Sequence, residues 1–190
     1  MIKNFKNWPF EYISGNSYLI GNITLMINGG LTSDAQLLPT IKTLQALDPS
    51  AWQSLAGFSL ILSAIGINFI RHFPDGATKV NALIIFLGNF CLLISGYTQE
   101  AFWAHAFGLM PVFIASFLLL QGNKINQKKG FYSRYPLACA SVLFLSAAPP
   151  LLYNAILSQD WVLTFVLCCW VTGHIFFALS DRNFQKKLFG

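Results

Sequence analysis

The stretch WVLTFVLCCWVTGHIFFALS, residues 161–180, decides the fold, because twenty consecutive residues contain no Asp, Glu, Lys or Arg. As a helix rising about 1.5 Å per residue it extends about 30 Å, the thickness of a bilayer's hydrocarbon core. Five further stretches read the same way: about 14–31, 53–70, 80–97, 101–120 and 136–157, none carrying a charged side chain. The composition agrees, with 55% hydrophobic and only 10% charged residues where soluble domains carry about a quarter. Mean hydropathy is +0.55. Six spans consume about 120 residues, which leaves no room in a chain of 190 for an ordinary soluble domain. The expected fold is an all-α polytopic membrane protein, one membrane domain over 1–190 with six transmembrane helices.

Orientation follows from the basic residues, which short loops retain on the cytoplasmic side. With both termini cytoplasmic, the inner segments hold Lys3, Lys6, Arg71, Lys79, Lys124, Lys128, Lys129, Arg134, Arg182, Lys186 and Lys187, and the outer loops hold only Lys42. Aromatic residues fit the same edges: Trp52, Tyr97, Trp103 and Trp161 outside, Trp8, Tyr12, Tyr132 and Tyr135 inside. The net charge of +5 is therefore a topology signal dispersed over four segments, and no nucleic acid is expected as partner. The first dozen residues have no apolar core of a signal peptide and read as an interfacial anchor. A bacterial inner membrane is the expected location for so small a chain.

The spans repeat. Gly21-Asn22-x-x-Leu25-x-Ile27-x-Gly29 in the first matches Gly88-Asn89-x-x-Leu92-x-Ile94-x-Gly96 in the third, and Trp52, Trp103 and Trp161 open the even-numbered spans. This predicts three tandem helical hairpins, about 1–73, 74–130 and 131–190, related by an axis along the membrane normal. Small residues four apart, Ser17 and Gly21, Ser59 and Ser63, Ala104 and Gly108, Cys169 and Gly173, suit close helix packing. The first hairpin carries an outer insertion, 32–50, in which Leu37, Leu38, Ile41, Leu44 and Leu47 recur at helical spacing. It reads as an amphipathic surface helix that is a gate, a docking surface or a cover.

Few intramembrane side chains can do chemistry. Asn22 and Asn89 lie about 12 and 13 Å from the inner edge, and Ser146 falls at equal depth, just before Pro149 and Pro150. The prolines remove helical bonds to the carbonyls of Leu145 and Ser146. Asn22, Asn89, Ser146, Pro149 and Pro150 thus mark either a neutral solute site at the repeat interface or a set of helix staples. His174 is the best protonatable group; His105 lies about 13 Å from it along the axis, too far to share a haem iron. Cys91, Cys139, Cys168 and Cys169 form no C-x-x-C pair, so no metal, cofactor or structural disulfide is expected.

The six-span layout resembles that of rhomboid proteases, but the fourth span reads Ala106-Phe107-Gly108-Leu109-Met110 without that family's Gly-x-Ser-Gly nucleophile, which excludes it. P-loop, zinc-protease and carboxylate-pair signatures are absent from the sequence, and no enzyme activity is expected. Two functions fit. The leading one is a small non-catalytic subunit or accessory component of a membrane complex, with the bilayer, other membrane subunits or further copies of itself as partners. The alternative is a transporter or channel-like protein for a small neutral or amphiphilic solute.

Overall fold

The structure, a computed structural model, describes residues 9–32, 39–68, 74–98, 102–121 and 135–189. These form eight helices and no strand: α1 (Phe10–Thr32), α2 (Ile41–Gln45), α3 (Pro49–Ile67), α4 (Pro74–Thr98), α5 (Phe102–Gln121), α6 (Pro136–Leu157), α7 (Trp161–Leu179) and α8 (Arg182–Phe189). The segments Pro49–Ile67, Thr78–Tyr97, Leu137–Leu157 and Trp161–Leu179 are long and apolar enough to cross a membrane. Of the expected markers, Lys3, Lys6, Trp8, Arg71, Lys124, Lys128, Lys129, Tyr132, Arg134 and the start of the insertion, 33–38, lie outside the described residues. So do the side chains of Trp103, Ala104, His105 and Gly108.

Local chemistry sets the helix ends. Asp48 accepts from the Ser50 amide and precedes Pro49 at the first position of α3, so α3 starts before Trp52, on which the sequence expectation is anchored. Asp160 caps α7 through the Leu163 amide at 2.8 Å. The described part of the insertion is shorter than the expected amphipathic helix. Thr40 and Thr43 form a capping box that starts α2 at Ile41, and Leu47, at φ 56°, turns the chain left-handed before α3.

The six long helices pack as a closed ring. Going round it, α1 touches α3, then α3 α4, α4 α5, α5 α6, α6 α7, and α7 returns to α1. Close backbone approach is built into the α1–α3 pair: a Cβ at Gly57 would lie 2.6 Å from the Met26 backbone nitrogen, so only glycine fits. Gly21 faces Cys169 on α7, and Gly88 faces Leu60 on α3. Each matched glycine thus meets the helix that precedes its own around the ring.

Small side chains are buried where helices meet, and the outer surface is apolar. Ser14, Ser54, Ser116, Ser141 and Ala56, Ala82, Ala115, Ala140 are fully buried, while Phe58, Phe90, Phe117, Val142, Phe165 and Ile175 are exposed. Water would penalise that arrangement, and hydrocarbon accommodates it. The largest apolar cluster joins Leu109, Val112, Ala115 and Leu119 of α5 to Ala140, Phe144 and Ala147 of α6.

Candidate functional site

The ring closes between its first and last members by a polar ladder. Ser14, Tyr18 and Asn22 recur every four residues on α1, which places them on one face. Opposite them on α7, Ser14 Oγ donates to the Gly173 carbonyl at 2.9 Å, the Tyr18 hydroxyl bonds His174 Nδ1, and Trp170 Nε1 donates to Asn22 Oδ1 at 2.8 Å. Asn22 Nδ2 donates in the other direction, to the Leu60 carbonyl of α3 at 2.9 Å. One buried amide therefore ties three helices together.

At the centre of the ring is a cavity of about 60 Å³, to which all six long helices contribute. Its polar residues are Tyr18, Asn22, Ser63, Asn89, Trp170 and His174. The walls are otherwise apolar, among them Leu60, Ile85, Leu109, Phe144 and Leu151, and none of the described lining residues is acidic or a Lys or Arg. At about 15 Å³ per water the space holds about four waters, or a solute of similar bulk.

The two asparagines differ in how they are used. Asn89 Nδ2 donates to the Ile85 carbonyl of its own helix at 2.8 Å, and its Oδ1 has no partner among the described residues although the residue is only 4% exposed. Ser63, 2% exposed, is likewise without a hydrogen-bond partner among them. Both residues line the cavity, where water or a small molecule can reach their remaining hydrogen-bonding groups. Asn22 is a staple that also lines the site, whereas Asn89 and Ser63 hold spare hydrogen-bonding capacity.

His174 is framed by aromatic rings, with Phe144 stacked at 4.5 Å and Tyr18 edge-on at 4.8 Å. The Tyr18 hydroxyl and His174 Nδ1 are hydrogen-bonded to each other, and both residues line the cavity. The cavity thus presents the Asn89 carbonyl, the Ser63 hydroxyl and the His174 ring along its lining.

Ser146 does not join this group. It is exposed, its Oγ turns back to the Leu143 carbonyl at 2.7 Å, and Pro149 and Pro150 are exposed beside it. The α6 residues on the cavity are Phe144, Ala147, Ala148 and Leu151, one face round from the prolines, and α6 runs unbroken through them. Depth alone placed Ser146 with the asparagines; helical phase separates it from them. Tyr18, Ser63 and Trp170 were not singled out as site residues by the sequence. The four-residue stripe Ser14, Tyr18, Asn22 is the signal that points to the first, whereas Ser63 reads only as a small packing residue. Among the described residues no group of His, Cys, Asp and Glu could hold a metal ion. No protein-family model, curated protein or solved structure matches the chain.

Proposed function

We propose that all six long helices cross the bilayer with both ends of the chain cytoplasmic, and that the protein binds and passes a small neutral solute through the central cavity. α1 and α5, of 23 and 20 residues, are about 34 and 30 Å long and sit in the ring between helices that are long and apolar enough to cross a membrane. The apolar exterior and the segregation of basic residues support the same reading.

The observation that carries the solute reading is the pair of polar groups on Asn89 and Ser63 that lack a partner among the described residues, in a cavity that all six helices line. The absence of Asp, Glu, Lys and Arg among the described lining residues disfavours an ion, whose desolvation would go uncompensated at a cost of several kcal/mol. Room for about four waters favours a solute of about four to six heavy atoms that both donates and accepts hydrogen bonds. Urea, acetamide and glycerol are suitable test solutes.

Native mass spectrometry of the protein released gently from its own membrane tests this. The expected result is a lone chain or a homo-oligomer, with a small neutral molecule retained. A stoichiometric foreign subunit would overturn it in favour of a structural component of a complex. Orientation is tested separately with a reporter active only in the cytoplasm, fused after Gly190; it is expected to be active, and a silent reporter would reverse the topology.

A further inference from the structure

Asp181 is buried, at 4% exposure, in the junction between α7 and α8. Its Oδ2 accepts from the amides of Leu137 and Ala138 at the start of α6, at 3.1 and 3.5 Å, and its Oδ1 from those of Asn183 and Phe184 at the start of α8, at 3.1 and 3.2 Å. One carboxylate therefore caps two helices and fixes α8 against the first turn of α6. Tyr135 completes the joint, packing edge-on to Phe184 at 6.1 Å with Lys187 Nζ 5.6 Å above its ring.

This leaves α8 with a divided surface. Arg182 and Lys186 are exposed on one side, Leu188 is exposed more than about a quarter of a turn from either, and Lys187 is exposed at the flank between them beside Tyr135. Asp181 is turned inward onto backbone donors, and Arg182 and Lys186 make no ion pair among the described residues. The charges of Arg182 and Lys186 are thus uncompensated by the neighbouring acid, and that of Lys187 meets the Tyr135 ring. The helix begins three residues after Leu179, where the apolar span of α7 ends, so it stands at headgroup depth, where a basic amphipathic helix lies along the membrane surface.

We propose that α8 is a docking surface for anionic phospholipid headgroups, with Arg182, Lys186 and Lys187 as the contacting charges and Leu188 entering the acyl boundary. Charge complementarity selects the partner: a zwitterionic headgroup leaves the three charges unmatched, whereas phosphatidylglycerol supplies one negative charge per lipid. Through Asp181 the docked helix is tied to α6, whose Phe144, Ala147, Ala148 and Leu151 line the cavity.

The test is native mass spectrometry of the full chain titrated with dioleoylphosphatidylglycerol and, separately, dioleoylphosphatidylcholine. Each basic residue near an anionic surface contributes about fivefold in affinity. The wild type is expected to prefer phosphatidylglycerol at least tenfold, and R182Q/K186Q/K187Q to lose most of that preference while keeping the wild-type melting temperature in phosphatidylcholine. An unchanged preference in the triple variant would overturn the proposal, as would equal binding of the two lipids by the wild type. Asp181→Ala is the second variant: it keeps all three charges but frees α8 from α6, and is expected to retain the lipid preference. Neither variant touches Asn89 or Ser63, so the outcome is independent of the solute reading.

Discussion

Replacing Asn22 with leucine removes the amide that joins three helices. Two interhelical hydrogen bonds are lost, Trp170 Nε1 to Oδ1 and Nδ2 to the Leu60 carbonyl, each worth about 0.6 kcal/mol between membrane helices. The Trp170 indole N–H is then left without its acceptor, which adds about 1 kcal/mol. The Leu60 carbonyl keeps its helical partner and adds little. Asn22→Leu is therefore expected to destabilise by about 2 kcal/mol, roughly a thirtyfold shift in the folding equilibrium. Asn89→Leu loses only a bond to the Ile85 carbonyl of its own turn, already an acceptor in the helix, and is expected to cost about 0.5 kcal/mol or less. Reversible unfolding in bicelles measures both. A cycle of Asn22→Leu with Trp170→Phe is expected to show about 1 kcal/mol of coupling. Equal destabilisation by the two leucine variants, or additivity in the cycle, would refute the distinction between staple and free acceptor.

Further outcomes follow from the packing. Gly57→Ala drives a methyl group to within 2.6 Å of the Met26 backbone and is expected to lower stability by about 1–3 kcal/mol in the same unfolding assay. Asp181→Ala removes the cap of both α6 and α8 and should cost about 2 kcal/mol, with Asp181→Asn intermediate because one acceptor oxygen remains. Ser146→Ala removes only an exposed hydroxyl bonded to its own helix; a change in melting temperature or in solute flux would contradict its placement outside the cavity.

The helices were legible in the sequence because charge is excluded from them. The expected 136–157 and 161–180 differ from Pro136–Leu157 and Trp161–Leu179 by at most one residue. Ends set by caps rather than by hydropathy were less legible, as at Asp48 and Pro49 of α3. Within the site, depth along the axis is a count of residues, and it brought Asn22 and Asn89 to one level. Which way a residue faces depends on how the ring closes, and no local pattern announces the pairing of α1 with α7, 156 positions apart at Tyr18 and His174. Hence Ser146 shared their depth but not their face, and Trp170 was not visible as the partner of Asn22. The helix α8 was missed because its Lys and Arg residues read as a topology signal before they read as one side of an amphipathic helix.

Solute flux into proteoliposomes tests the central claim most directly, followed by stopped-flow light scattering after an osmotic step with urea, acetamide or glycerol. The expected result is equilibration of at least one solute severalfold faster than in empty liposomes, abolished in S63A/N89L, whose melting temperature stays within a few degrees of wild type. Rates equal to those of empty liposomes for all three solutes, or an unimpaired double variant, would contradict a solute path through the cavity at Asn89 and Ser63.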